Sequence, residues 1–386
     1  MEAKRITWLD GVKGFACLAV MWHHFVLSFL PQLYSDEIST MKSVSELDRK
    51  LQQSPFLFWL NGDFMVMLFL TISGIVMSKK VIELTDKTSL PEIIVKRYFR
   101  LLLPFVPLAI MTYLFIQFGW FRNGEAGIIS TSMWLSTCHA EQMSFLRFIF
   151  ETVIHTWFGG DNNFGLSCVF WMLPAIFQGS FLVIILGTIT WKVKPLKSLL
   201  IFLVLAAIMI LVQPLYTPFC LGAVFSVYYK NYFNKKNKWG GAIALILGCF
   251  LGGYPTGVSP TNVYRHLNFL PDYIITYLFW HLIGAILVIY GLANLCIVQK
   301  LLSRKVCFFL GKISYAVYIW HTFVLCTVSS YCYIFLQQLD YNQKNALVDT
   351  FVITNIVVIL WAFVYSKYVE SKLDKLLKKL LKWLTA

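Results

Sequence analysis

The sequence predicts an all-α fold, a polytopic bundle of about ten transmembrane helices with both termini in the cytoplasm and a C-terminal amphipathic interfacial helix. Three observations predict it. Hydrophobic residues make up 58% of the 386 residues and charged residues only 13%, whereas soluble domains carry about 25% charged residues. Runs such as 199–212, 273–296 and 346–365 contain almost no charge and approach the ~20 residues that cross a bilayer. Finally, lysine and arginine are unevenly distributed between such runs.

The predicted spans are apolar segments bounded by polar or charged ones. They cover residues 12–30, 62–79, 101–119, 168–190, 198–212, 216–229, 240–255, 272–297, 306–332 and 346–366. The first is expected to be retained, because Lys13, His23 and His24 interrupt it and no small-residue cleavage site precedes Pro31. Residues 1–366 are therefore predicted to form one transmembrane domain, followed by a cytoplasmic tail helix over 367–386.

The distribution of basic residues orients this bundle. With ten spans and a cytoplasmic N-terminus, 24 of the 33 lysines and arginines fall in inner segments and seven in outer ones, and Lys13 and Lys312 lie within or beside spans. Cytoplasmic loops carry such an excess, so the sequence favours an N-in, C-in topology. The same rule explains the +14 net charge without a nucleic-acid partner.

Two further segments are predicted to be helical without crossing the membrane. The tail 368–384 alternates leucines with lysines at helical spacing, which is typical of a helix lying in the interface, although a calmodulin-type target shows the same pattern. The segment 147–158 is apolar on one side but too short to span, so we predict an outer surface or re-entrant helix.

Ionisable residues inside a span are costly and mark function by default, and the first span contains Asp10, Lys13, His23 and His24. At 100° per residue Lys13 and His24 share one helix face about 16 Å apart, and Asp10 lies within about 40° of His24. The alternative is a structural role, with His24 packed and hydrogen-bonded and Asp10 paired with Lys13.

A second candidate site precedes the third span. Arg97 and Arg100 are three residues apart and share a helix face at the predicted cytoplasmic edge. Arginine forks bind phosphates bidentately, so the pair is a candidate phosphate clamp. Topological anchoring is the alternative.

Several short motifs occur in the same order as in a known family. They are Trp8-Leu9-Asp10-Gly11-Val12-Lys13-Gly14 leading to His24, Phe69-Leu70-Thr71-Ile72-Ser73-Gly74, Arg97-x-x-Arg100, Trp171-Met172-Leu173-Pro174 followed by Gln178-Gly179-Ser180, Phe219-Cys220-Leu221-Gly222, and Gly311-Lys312-Ile313-Ser314-Tyr315 through His321. On these the chain resembles the membrane-bound acyltransferase family 3, O-acetylase-like proteins that modify cell-surface glycans.

The resemblance implies an O-acyltransferase that moves an acyl group, expected to be acetyl, from cytoplasmic acetyl-CoA to an extracytoplasmic glycan hydroxyl, without a metal. His24 matches the family's catalytic histidine, as general base or as acyl relay, and Arg97 and Arg100 match its paired arginines. We place Asp10 and Lys13 with His24 as catalytic residues.

The remaining site assignments are weaker. Ser73, beside Gly74, is placed with the arginines at the donor, although a small helix-packing residue would look the same. Glu151, His155 and Trp171 are assigned to acceptor binding. The alternatives are that Glu151 and His155 are loop residues that only contact water, and that Trp171 belongs to the aromatic belt at the membrane interface. Asp161 and Asn162 are further candidates for the same role.

The chain departs from the family pattern at two positions. Lys13 stands where the family usually has arginine, which keeps the charge but loses the planar fork. Ile176 stands where it usually has glutamate. Because this glutamate is absent, a catalytically inactive relative is one alternative to an active enzyme.

Two rival functions belong to different functional classes. A transporter of a small polar or anionic solute would also need buried ionisable residues, but the chain shows no repeated halves. A glycosyltransferase acting on lipid-linked sugars would want paired acids sharing a face after the first span, where only the adjacent Asp36 and Glu37 occur. A bacterial plasma membrane is the expected location, with a eukaryotic internal membrane as the alternative. The nine cysteines show no CxxC pair, so their spacing predicts neither a disulfide framework nor a zinc site.

Overall fold

The computed structural model describes residues 6–34, 44–82, 90–139, 142–159, 165–233, 235–270, 272–339 and 341–385. Asp36, Glu37, Asp161 and Asn162 lie outside these ranges. Within them the chain forms helices and connecting turns and no β-strand, which confirms the all-α prediction.

The α-helices are numbered in chain order. They are α1 Thr7–Phe29, α2 Glu46–Gln52, α3 Gly62–Ile82, α4 Leu90–Gln117, α5 Asn123–Ser130, α6 Met133–Ser136, α7 Phe145–Phe150, α8 Thr156–Phe158, α9 Met172–Ile189, α10 Pro195–Val212, α11 Thr217–Asn231, α12 Lys238–Gly252, α13 Tyr273–Asn294, α14 Cys296–Leu302, α15 Lys305–Val324, α16 Ser330–Gln338, α17 Gln343–Tyr365 and α18 Ser371–Thr385. Single 3-10 turns cover Pro31–Leu33, Pro55–Leu60, Pro214–Tyr216 and Val263–Leu267, and π-helical turns cover Glu151–His155, Leu325–Ser329 and Ser366–Glu370.

The helices agree with the predicted spans. Among the described residues, eight helical runs are long and apolar enough to cross a membrane. The two shorter helices α11 and α12, of 15 residues each, coincide with the spans predicted at 216–229 and 240–255. The polytopic helical bundle is thus confirmed, while the side on which the termini lie stays a prediction.

Several boundaries differ from the prediction for a common reason. Helix α4 begins at Leu90 rather than at residue 101, and α15 continues through a π-helical turn into α16 to give one run, Lys305–Gln338. Similarly, α17 continues through Ser366–Glu370 into the tail helix α18. Backbone hydrogen bonds stabilise a helix in water as well as in lipid, so hydropathy marks where a helix enters the membrane rather than where it begins.

The chain divides into two compact units. Unit 1 contains residues 1–20, 52–94 and 175–312, and unit 2 contains residues 21–51, 95–174 and 313–386. Helices α1, α2, α4, α9 and α15 contribute residues to both units.

Unit 1 is packed through glycines that let helix backbones approach closely. A Cβ atom on Gly248 of α12 would stand 2.8 Å from the carbonyl oxygen of Gly284 in α13, closer than side chains tolerate. Because lipid is as apolar as the helix surfaces, membrane helices associate through such close packing rather than through a hydrophobic driving force.

Unit 2 is held together by side-chain hydrogen bonds between helices. Tyr365 of α17 donates to the carbonyl oxygen of Pro104 in α4 at 2.5 Å. Trp22 of α1 donates through its indole nitrogen to the Asn355 side chain of α17 at 2.8 Å. In a medium without water such bonds satisfy polar groups that would otherwise be costly, and they fix the helices that carry the candidate site.

Candidate active site

A pair of histidines lies in unit 2. His24 is the seventeenth residue after Thr7, about 26 Å along α1 and some 8 Å before its end at Phe29. Its Nδ1 atom lies 2.8 Å from Nε2 of His321 on α15. The two rings are almost coplanar, 9° apart with centroids separated by 5.0 Å, so the bond lies near the plane of both imidazoles.

The partners of His321 define which nitrogen carries each proton. Nδ1 of His321 lies 2.6 Å from the carbonyl oxygen of Tyr318 and 3.2 Å from that of Val317. A carbonyl oxygen only accepts, so this nitrogen carries the proton and donates it. With one proton on each ring, His321 Nε2 accepts from His24 Nδ1, and the lone pair of His24 lies on Nε2.

The second ring nitrogen of His24 is suited to chemistry. No hydrogen bond from the residues that the structure describes reaches its Nε2 atom, and the side chain is half-buried. A proton taken up at Nε2 leaves a positive charge that the His321 ring and the Tyr318 carbonyl stabilise through two hydrogen bonds in series. The arrangement can act as a general base or as a nucleophile.

A tryptophan covers the histidine pair. The Trp134 indole lies parallel to the His24 ring, with 9° between the planes and centroids 5.0 Å apart. Trp134 is on the short helix α6, whose N-cap residue Ser132 accepts from the Leu135 amide and donates to the carbonyl of Leu27 in α1. The cap therefore fixes α6, and with it Trp134, against the end of α1 that carries His24.

The predicted arginine pair lies near the same helix α15. Tyr315 of α15 donates to the carbonyl of Leu101 in α4 at 2.7 Å, and the charge of Arg97 acts on Tyr315. Since Tyr315 and His321 are six residues apart, the rise along α15 from one to the other is about 9 Å. Unit 2 thus brings Arg97 and the histidine pair to neighbouring levels of one helix.

Carboxylates lie close to Arg100. Glu370, at the end of a π-helical turn, and Asp374 of α18 both interact electrostatically with Arg100. They partly balance the charge of Arg100. Anchoring and anion binding are therefore both open to Arg100, the more exposed arginine of the pair.

Three predicted site residues belong to unit 1. Asp10 and Lys13 are half-buried on the first part of α1. Ser73 is buried and donates its hydroxyl to the carbonyl of Phe69, one turn earlier, at 2.9 Å. Such back-bonding is what serine does as a packing residue in a helix.

The predicted acceptor residues are only partly brought together. Glu151 is buried, with one carboxylate oxygen 2.8 Å from Nδ1 of His155 and the other 3.6 Å from Nε of Arg147. Trp171, half-buried, directly precedes α9. Ile176, at the position where the family usually has glutamate, is buried in α9.

The sequence alone assigns no site role to His321 or Trp134. From the sequence, His321 could be a residue that stabilises the helix bundle through hydrogen bonds. It does, however, end the motif that begins at Gly311. The available signal is that a second histidine lies within a predicted span, where ionisable residues are rare. Trp134 gives no signal, because its helix has only four residues.

The known proteins that this chain resembles are acyltransferases. A family model described as "Acyltransferase domain" matches residues 6–367. Among curated proteins, "Acyltransferase R4" of Phoma sp. is 33% identical over 98 residues, 25% of this chain and 20% of that protein. "Acyltransferase clz18" of Cochliobolus lunatus is 27% identical over 151 residues, 36% of this chain and 31% of that protein.

No solved structure matches the chain. The chain spans about a fifth and a third of the two relatives' lengths, so the family assignment rests on the match that extends over nearly the whole chain. The protein belongs to the membrane-bound acyltransferase family 3.

Proposed function

We propose that the protein transfers an acetyl group from acetyl-CoA, bound at the cytoplasmic side, to a hydroxyl group of a glycan outside the cytoplasm. The observation that carries this proposal is the orientation of the His24 ring, whose Nδ1 donates to His321 and whose Nε2 keeps a lone pair. A half-buried imidazole fixed in this tautomer is suited to take a proton from a hydroxyl.

Arg97 supports binding of the donor. Coenzyme A carries several negative charges and cannot enter lipid, whereas the beginning of α4 and the tail helix α18 carry many basic residues. An arginine fork matches phosphate geometry. With about 9 Å of rise along α15 between the Arg97 level and His321, a donor held by Arg97 would reach the histidine pair with its flexible thioester arm.

The proposed chemical step is an acyl transfer with His24 as general base. Nε2 takes the proton as the hydroxyl oxygen forms a bond to the thioester carbonyl carbon. When the tetrahedral intermediate collapses, the carbon–sulfur bond breaks and the CoA thiolate takes up the proton held by His24. The charge on His24 is transient and is shared with His321 through the hydrogen bond of 2.8 Å.

The acceptor is proposed from weaker observations. Trp134 places an aromatic face over His24, and aromatic faces stack on sugar rings as well as on other rings. The Glu151–His155 pair and Trp171 offer further polar and aromatic groups within unit 2. A plasma membrane facing a polysaccharide envelope, as predicted from the sequence, would present such an acceptor.

The first test measures transfer of radiolabelled acetyl from acetyl-CoA to surface glycan in membranes that contain the protein. We expect wild type to incorporate label and His24→Ala to lose it at equal protein level. His23→Phe is the matched control, because it removes the adjacent histidine while keeping an aromatic ring against those of Tyr34 and His24. Equal incorporation by wild type and His24→Ala would contradict the proposal.

The same preparation distinguishes the two roles of His24. Incubation with labelled donor and no acceptor should leave the protein unlabelled if His24 is a general base. Label that is bound to the protein and absent from His24→Ala would instead show an acyl relay through Nε2.

A further inference from the structure

Three cysteines meet beside the histidine pair, in unit 2. Cys138 follows α6, Cys168 lies in the turn before α9, and Cys326 lies in the π-helical turn after α15. The Sγ atoms of Cys138 and Cys168 are 2.7 Å apart, and the Cys168 amide donates to the carbonyl of Cys138 at 2.9 Å. Cys326 is buried and hydrogen-bonds the Cys138 thiol.

Two kinds of chemistry would bring such thiols together. Cys138, His139 and Cys326 offer ligand atoms within 4.8 Å of one another, so a metal site is the first alternative. Two thiolates on one tetrahedral zinc, each about 2.3 Å from the metal, stand about 3.8 Å apart. Cys168 is not one of those three residues, and its sulfur lies 2.7 Å from that of Cys138. This is too short for two thiolates on one zinc, so the contact favours a covalent bond between these two sulfurs.

We propose that Cys138 and Cys168 form a disulfide bond that closes the loop between α6 and α9. Formation removes one hydrogen from each thiol, and the two electrons and two protons pass by thiol–disulfide exchange to a disulfide of an oxidoreductase, which is reduced to a dithiol. Cys326 stays a thiol.

The environment of Cys138 is consistent with the exchange. Burial opposes ionisation of its thiol, but hydrogen bonds from Cys168, Cys326 and Ser167 and the charge of His139 together hold the pKa of Cys138 well below its usual range. The thiolate is the form that attacks a disulfide. Cys138 is therefore the nucleophile of the pair.

The bond would have two consequences. Disulfides persist in oxidising compartments, so the loop between α6 and α9 would lie on the side of the membrane away from the cytosol. It would also fix Cys138, four residues after Trp134, to the turn whose Val169 carbonyl accepts from Tyr318 of α15 at 2.9 Å. Trp134 is thus a group that the disulfide positions over His24.

The test measures the covalent state of each cysteine in the full-length protein purified from membranes. The protein is denatured, alkylated without reduction, digested and analysed by mass spectrometry, in parallel with a reduced sample. We expect one cross-linked peptide pair containing Cys138 and Cys168, two hydrogen atoms lighter than the separate peptides, with Cys326 alkylated in both samples. This readout does not depend on the proposed function.

Single substitutions provide the controls. In Cys138→Ser, Cys168 should become alkylated without reduction, whereas Cys249→Ser in unit 1 should leave the cross-link unchanged. Complete alkylation of Cys138 and Cys168 in the unreduced sample would overturn the proposal. So would a cross-link to Cys326, or one zinc ion per chain that is lost on His139→Ala.

Discussion

Replacement of His321 tests the tautomer argument on which the proposed chemistry depends. His321→Leu removes the acceptor of the His24 Nδ1 proton, 2.8 Å away, and replaces the imidazole with an apolar side chain of similar length. A hydrogen bond to a charged group contributes about 1.5–3 kcal/mol. Because each 1.36 kcal/mol is tenfold in rate, kcat should fall by about 13- to 160-fold. Little change in KM for the donor is expected, since about 9 Å of rise along α15 separates His321 from the level at which Arg97 would hold the donor's phosphates.

A double-mutant cycle separates this mechanism from a general packing defect. His24→Ala alone should cost about 10²- to 10⁴-fold, the usual contribution of a general base. The variant lacking both histidines should be no slower than His24→Ala, because the bond is already absent. His321→Gln, whose amide oxygen still accepts a hydrogen bond, should retain more activity than His321→Leu. Independent, multiplicative losses at the two positions, at equal protein levels and melting temperatures, would refute the reasoning.

Three further substitutions have expected outcomes of stated size. Arg97→Ala should raise KM for acetyl-CoA by about 13- to 160-fold if its charge-assisted bonds to phosphate are lost, while Lys344→Ala, at an exposed cation near the start of α17, leaves KM unchanged in the same steady-state assay. Trp134→Ala should lower kcat by about 2- to 13-fold, the equivalent of an aromatic contact of 0.5–1.5 kcal/mol. A lower amount of folded protein with an unchanged kcat would contradict this. Cys138→Ser should destabilise unit 2 by about 3–4 kcal/mol in the loop-entropy description of a cross-link, seen as a lower melting temperature. An unchanged melting temperature would argue against the cross-link.

The fold was predictable because the bilayer imposes one strong constraint. A membrane span must hydrogen-bond its backbone polar groups internally, so long apolar runs such as those of α10 and α17 are predicted to be helices. The same signal is weak where a helix leaves the apolar layer. Thus the start of α4 at Leu90 and the tail helix following directly from α17 depend on hydrogen bonding that hydropathy does not measure.

The geometry of the candidate site was predictable only to the extent that its residues lie on one helix. Helical spacing placed Asp10, Lys13 and His24 on one face of α1, but it has no information on which helix packs against that face. The partner of His24, His321, is 297 positions away. Likewise, Cys138 and Cys168 show no metal-type or disulfide-type spacing, and only the folded loop brings their sulfurs together.

Two independent arguments, from the distribution of charge and from the redox compartment of a disulfide, bear on the side of the membrane that His24 faces. The distribution of basic residues predicts that the start of α1 lies in the cytoplasm, because cytoplasmic loops retain lysine and arginine. A disulfide at Cys138 would require the segment next to α6, which Ser132 fixes to Leu27 near the end of α1, to face an oxidising compartment. On the predicted topology and with the proposed disulfide, His24, about 8 Å from the end of α1, would lie at the side where a hydroxyl acceptor outside the cytoplasm can reach it. Because the donor must then come from the opposite side, the two substrates would approach the imidazole from different compartments. Transfer would therefore need no movement of either substrate across the whole bilayer.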